Sequence, residues 1–104
     1  MVRWVVRNGR WTFGVPDFDQ LVKATEAYTL TGVADRITCP TLVLDALNDV
    51  FFKGQPPRLL DQLTCQKELL SFREDEGAGE HCHEGAIYLF HQRTFDWLDT
   101  VLAS

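Results

Sequence analysis

Residues 37–49 read ITCPTLVLDALND, and this stretch decides the fold class. Within it, residues 41–44 follow a proline and form an apolar run that does not alternate with polar residues. Strands that are apolar on both faces are typical of parallel sheets covered by helices on each side. The stretch therefore predicts a buried strand in an α/β protein.

Three further elements are predicted after this strand. Residues 55–57 read QPP and predict a helix start, because proline is tolerated in the first helical turn. Residues 67–72, KELLSF, predict a second strand, and residues 83–102 predict a long amphipathic helix with its aromatic side chains in the core. The β–α–β–α order favours parallel strands joined by right-handed crossovers. Two such strands make a poor fold alone, so they require neighbours that the chain does not visibly provide.

The beginning of the chain predicts less regular structure. Asn8-Gly9 is a turn signal, so WVVRNGRWTF predicts a short hairpin or the end of an irregular segment. Residues 16–28 predict a helix. We treat the chain as one domain, in which residues 1–36 lead into the core strands and helices of residues 37–104.

Composition narrows the function classes. The net charge of −5, from 10 basic and 15 acidic residues, argues against nucleic acid as a partner, because no basic stripe is present to neutralise phosphates. No apolar stretch reaches the length of a membrane span, so we expect no membrane partner. Three cysteines without CxxC spacing argue against a disulfide framework and favour a reducing, cytoplasmic location.

Two side chains follow the predicted strands at the place where open α/β sheets carry functional groups. Asp49 comes after the first strand and His81 after the second, so both loops are expected at the same edge of the sheet. A carboxylate that accepts the Nδ1–H of a histidine fixes its tautomer and leaves Nε2 free to take a proton from a nucleophile. An acid followed by a histidine matches the last two members of a Ser-Asp-His triad.

The two loops and their flanks resemble the C-terminal part of an α/β-hydrolase. The resemblance is carried by CPTLVLDALNDVFFKGQP followed by EGAGEHCHEG. Within the family, these segments are most similar to the branch of dipeptidyl-aminopeptidase-like and 2,6-dihydroxypseudooxynicotine-type hydrolases. Those enzymes hold the acid in a short loop after a proline-led strand, matched here by Asp49. They hold the histidine in a glycine-rich loop before the last helix, matched here by His81. Residues 11–37 resemble the stretch that joins the cap region to that strand.

The resemblance implies a serine hydrolase that lacks its nucleophile in this chain. The family needs a serine on a G-x-S-x-G elbow upstream of the acid, whereas this sequence has only Ser71, inside a predicted strand, and Ser104, its last residue. We therefore expect a fragment that is inactive alone. In the complete enzyme it would act on an ester, an amide or a ketone with an activated C–C bond, without a cofactor or metal.

Several alternatives remain open from the sequence. Asp45 is the second candidate for the acid, although it lies within the strand. His81, Cys82 and His83 offer zinc ligands on paper, but neighbouring side chains at a helix start diverge and no fourth ligand has familiar spacing. His83 is otherwise expected at the surface or at the flank of a helix. Cys82 is a weak nucleophile candidate, because sequence neighbours rarely meet in the required geometry.

The rival function is a non-catalytic remnant or interaction module. An exposed strand edge and apolar helix faces would then drive homo-oligomerisation or pairing with a hydrolase-like partner chain. Phe51 and Phe52 are compatible with two roles, since they could line a substrate entrance or pack in the core.

Overall fold

The computed structural model describes residues 1–103 and divides the chain into two compact units. The first unit comprises Met1–Thr31, and the second begins at Gly32.

The first unit is a pair of helices, α1 (Val2–Phe13) and α2 (Phe18–Glu26). The expected hairpin or irregular segment at the start of the chain is therefore wrong. Gly9 does not form a turn: it lies inside α1, where an added Cβ would come within 2.8 Å of Cδ2 of Leu21 on α2. The glycine thus allows the two helices to approach each other closely.

Short local signals set the boundary between these helices. Gly14 ends α1 in the left-handed conformation, at φ 65°, which glycine adopts at little cost. Asp17 caps α2, because its Oδ1 accepts the backbone N–H of Gln20 at 2.8 Å. The predicted helix of residues 16–28 is confirmed with slightly shorter ends.

The second unit is built on two parallel strands, β1 (Thr41–Ala46) and β2 (Lys67–Phe72), joined by helix α3 (Gln55–Gln62). Val43 pairs with Leu69 in the register. Both strands and their parallel pairing are confirmed. Helices around a small parallel sheet are the arrangement expected of part of an α/β fold.

One face of the sheet carries the aliphatic core. A 3-10 turn, Ala34–Arg36, precedes β1, and its first residue packs with Val43 and Leu63 in a buried cluster. Partly buried side chains from α3 and β2, including Leu59 and Leu69, surround this cluster. The hydrophobic side of α3 is thereby packed against the sheet. Because α3 follows the loop after β1, this packing fixes the far end of that loop.

The last helix begins later than the sequence predicts. Helix α4 spans Ile87–Leu102, and residues 81–86 form a separate 3-10 segment with a kink. Phe90 is partly buried, but Phe95 is 57% exposed, so its predicted place in the core is wrong. Among residues 1–103, no helix combines the length and the apolar character needed to cross a membrane.

Candidate catalytic pair

The loop after β1 holds Asp49 in a tight turn. Oδ1 of Asp49 accepts the backbone N–H groups of Phe51 at 2.7 Å and Phe52 at 3.1 Å. A short polar side chain that bonds to the backbone two and three residues ahead stabilises such a turn. One carboxylate oxygen is thus committed to the loop, and the other is free to face a neighbour.

The loop after β2 carries His81 and approaches the strand exit closely. Gly77 ends the 3-10 turn Glu74–Glu76 in the left-handed conformation, at φ 77°. Gly79 is buried, and a Cβ there would lie 2.7 Å from the backbone nitrogen of Glu74. Only glycine permits this approach, because the conflict is with backbone rather than with a flexible side chain.

Backbone hydrogen bonds join the two loops. The N–H of Leu47 donates to the carbonyl of Phe72 at 3.1 Å, which extends the sheet pairing past the strand ends. The N–H of Asn48 donates to the carbonyl of Gly79 at 2.8 Å. Asn48 adjoins the candidate acid and Gly79 lies two residues before the candidate base, so this bond fixes one loop against the other.

Asp49 and His81 meet at this edge of the sheet. Nδ1 of His81 lies 2.9 Å from Oδ2 of Asp49, and the exposed fractions of their side chains are 36% and 13%. The hydrogen bond from His81 is the main cause that holds the pKa of Asp49 below its ordinary value, opposed by partial burial and assisted by the N–H groups of the turn. With the carboxylate ionised, Nδ1 carries the proton and the Nε2 lone pair of a neutral His81 is available as a base.

Two aromatic rings flank the histidine. The ring centroid of Phe51 lies 4.8 Å from that of His81, in an edge arrangement, and that of Phe52 lies 5.5 Å away. Both phenylalanines remain about half exposed, at 54% and 50%. They therefore form an apolar border beside the histidine rather than part of a closed core.

His83 lies in a different environment from His81. It is 7% exposed, and its Nδ1–H donates to the carbonyl of Ala78 at 2.9 Å. A surface position for His83 is therefore wrong, although the residue does lie beside the start of α4, in the 3-10 segment before it. The two histidines face separate partners, and within residues 1–103 no group of three or more potential ligands is placed to hold a metal ion.

The other residues that the sequence offered as an acid or a nucleophile do not take part in the contact between Asp49 and His81. Asp45 is buried within β1, one strand position from the loop, at 8% exposure. Ser71 pairs with it in the register of β2, and Ser104 lies outside the described residues. Cys82 is exposed and unbonded to other cysteines.

An ion pair anchors the histidine loop to the last helix. Arg93 of α4 donates to Glu76 at 2.5 Å, and its guanidinium also lies 5.4 Å from the ring centroid of Phe72. The same carboxylate accepts the backbone N–H of Arg73 at 3.0 Å. These bonds lower the pKa of Glu76, chiefly through Arg93. Glu76 therefore takes part in an ion pair that joins the loop before His81 to α4.

The comparisons with known proteins find relatives that are named as hydrolases and one that is named as a hydrolyase. The chain is 28% identical to hydrolase LUC6 of a Fusarium species over 92% of its length, and 28% identical to the 20-hydroxy-prefusarin hydrolase FUS2 of Gibberella moniliformis over 98%. It is 32% identical to the hydrolyase poxO of Penicillium oxalicum over 93%. These similarities support a relationship to hydrolases.

The chain spans about a quarter of the length of these relatives, at 25%, 26% and 26% respectively. No family model matches the chain, and no solved structure does so.

Proposed function

We propose that this chain supplies the acid and the histidine of a Ser-Asp-His triad, and that the nucleophilic serine belongs to a further part of the complete hydrolase. Asp49 orients His81, and His81 is the general base and then the general acid. The observation that carries the proposal is the 2.9 Å contact between Nδ1 of His81 and Oδ2 of Asp49 at the carboxyl ends of two parallel strands. The relationship to hydrolases supports the same chemistry.

The proposed reaction uses the free nitrogen of the histidine. Nε2 of His81 takes the proton from the serine hydroxyl as the serine oxygen attacks the substrate carbonyl. His81 then returns that proton to the leaving group as the tetrahedral intermediate collapses to the acyl-enzyme. In the second half, Nε2 takes a proton from water, whose oxygen attacks the acyl carbon, and His81 gives that proton back to the serine. Asp49 stays ionised throughout and stabilises the imidazolium.

The proposed substrate class follows from this chemistry. It comprises esters, amides and ketones in which the bond broken is next to a carbonyl, and the chain's own residues require no cofactor for these steps. The half-exposed rings of Phe51 and Phe52 give the base an apolar border. Water is poorly bound at such a border, which favours an apolar substituent near the reacting carbonyl.

Exposed apolar side chains support the need for a further part of the enzyme. On α4, Tyr88 is 88% exposed, Phe95 57% and Leu102 74%. These three large apolar side chains recur every seven residues along the helix, and repeated exposure of this kind on one side of a helix favours a covering protein surface. We therefore propose that the 104-residue chain is inactive by itself, and that the surface is covered by the nucleophile-bearing part of the hydrolase.

A chimera tests this proposal. The segment of FUS2 that aligns with this chain is replaced by the chain. Hydrolysis of 20-hydroxy-prefusarin, the compound after which that relative is named, is then measured. The proposal expects hydrolysis by the chimera, and a loss of at least about a thousandfold in kcat on His81→Asn. The matched control is His91→Asn, which changes an exposed histidine on α4 and should keep kcat within about twofold.

Two outcomes would count against the proposal. A folded chimera in which His81→Asn keeps full activity would remove His81 from the reaction. A chain that forms a stable homo-oligomer in light scattering, and gives a folded but inactive chimera, would favour the rival interaction module. Circular dichroism of each chimera establishes that it is folded.

A further inference from the structure

His83 lies two residues after the proposed base, buried between a strand and a helix. Its ring centroid is 4.4 Å from that of Phe72, at the end of β2. It is 4.8 Å from that of Phe90 on α4, and the rings of His83 and Phe90 are stacked at 21°. Phe72 itself is fully buried. The imidazole of His83 therefore fills a fixed aromatic slot rather than facing solvent.

The backbone around His83 adopts an uncommon conformation. Cys82 has φ 58° and His83 has φ 57°, so two successive residues that are not glycine lie in the left-handed region. Side chains disfavour this region, and such residues persist where the surrounding structure holds them in place. These two residues directly follow His81, so their conformation sets the direction in which the chain leaves the base.

The hydrogen bond of His83 closes the loop that carries the base. Its Nδ1–H donates to the carbonyl of Ala78, a buried residue three positions before His81. The next residue, Gly79, uses its carbonyl to accept the N–H of Asn48 at 2.8 Å. The carbonyl of Ala78 thus binds His83, which follows the base, and the carbonyl of Gly79 binds the loop of Asp49.

We propose that His83 is a positioning residue, which keeps His81 in contact with Asp49 through its hydrogen bond to Ala78. The importance of that contact for catalysis rests on the proposed function above, but the contact itself does not. His83 touches no reacting atom in this account. Its effect on the chemistry is indirect, through the tautomer and direction of His81.

The tautomer of His81 provides the test, and it is measured on the 104-residue chain without a substrate. At pH 8.5, where ordinary imidazoles are neutral, long-range ¹⁵N NMR gives the ratio of the Nδ1–H to the Nε2–H form. We expect the Nδ1–H form to predominate in the native chain, because its proton is donated to Asp49. Loss of that contact lowers the ratio.

Two variants of His83 separate its hydrogen bond from its packing. His83→Phe keeps an aromatic ring and removes the donor, so we expect the tautomer ratio of His81 to fall at least fivefold. His83→Asn keeps a donor at the place of Nδ1 and tolerates the left-handed region, so we expect a ratio within about twofold of the native one. His91→Phe is the control for loss of a histidine on the neighbouring helix.

The proposal is contradicted if His83→Phe keeps the native ratio. It is also contradicted if the Asn variant, shown by circular dichroism to be folded, has lost the Nδ1–H form. The second outcome keeps the test decisive where the phenylalanine variant does not fold. A change in melting temperature alone would indicate a structural role, whereas a change of tautomer in a folded variant indicates positioning. An inactive chimera would leave this test unaffected, so the two proposals can fail separately.

Discussion

The Nδ1–H group of His81 donates to Oδ2 of Asp49 across 2.9 Å, although 32 residues separate them in sequence. The parallel pairing of β1 and β2 brings their loops together, and the bond between Asn48 and Gly79 holds them there. The contact is therefore a consequence of sheet topology, because backbone pairing brings the two loops together.

We expect the contact between Asp49 and His81 to stabilise the fold less as the pH falls and Asp49 becomes protonated. The folded-state pKa of Asp49 is lowered, chiefly by His81, so the stabilisation is present above the unfolded-state pKa of about 3.9 and is lost as pH falls through the lower folded-state pKa. His81→Ala removes the main cause. We expect this variant to lose less stability than the native chain between pH 7 and pH 2, as measured by urea unfolding. An identical loss in both chains would show that the pair does not contribute.

Titration of the Asp49 carboxyl group, monitored by ¹³C NMR, examines the same contact at a single carbon atom. His81→Ala should raise the pKa of Asp49 towards its ordinary value, whereas His91→Ala should leave it in place. The same rise in both variants would point to a general change in the fold.

The close approach at Gly79 predicts an intolerant position. Gly79→Ala places a Cβ 2.7 Å from backbone nitrogen, and we expect a cost of about 1–3 kcal/mol in the free energy of unfolding. Gly32→Ala is a useful comparison, because that residue has φ 75° and nothing within 4 Å of its Cβ position. It should cost only the conformational strain of about 1–2 kcal/mol. Tolerance of Gly79→Ala at native stability would contradict the geometry of this loop.

The left-handed conformation at Cys82 predicts opposite effects for two substitutions. Cys82→Gly should leave the stability of the chain unchanged or raise it, because glycine adopts φ 58° without strain. Cys82→Val should destabilise the chain by about 1–3 kcal/mol, since a β-branched side chain strongly disfavours this region. Urea unfolding of the two variants provides the comparison. Equal stability would show that Cys82 is not held in this conformation.

The ion pair between Arg93 and Glu76 predicts a modest structural effect. Arg93→Met removes the bond to Glu76 and the cation over Phe72, so we expect the melting temperature to fall by a few degrees. Arg58→Met, on the exposed side of α3, should leave it nearly unchanged. A fall of the same size in both variants would assign the effect to a general loss of charge.

The strands and the pair at their ends could be predicted because their signals are local. An apolar run after a proline defines β1, and the order of elements then places Asp49 and His81 at one edge. The start of the chain could not be predicted in this way, because Asn8-Gly9 is compatible with a turn as well as with a close helix contact. Only Leu21, in the next helix, decides between them.

The surroundings of His83 were also beyond prediction from the sequence. An H-x-H pattern at a helix start gives no sign that one ring faces a carboxylate and the other a carbonyl. The exposure of Phe95 was missed for a different reason. Helical spacing identifies the apolar side chains of α4 but does not say which of them this chain covers.

The kcat of the FUS2 chimera, with either Asp49 or Asp45 changed, tests most directly whether Asp49 is the acid that serves His81. We predict that Asp49→Asn lowers kcat by about ten-thousandfold with little change in KM, because the histidine is then held in the wrong tautomer. Asp45→Asn, in a buried strand position beside the loop, should keep kcat within about tenfold. A folded chimera that keeps its activity with Asn at 49, or loses it only with Asn at 45, would contradict the account.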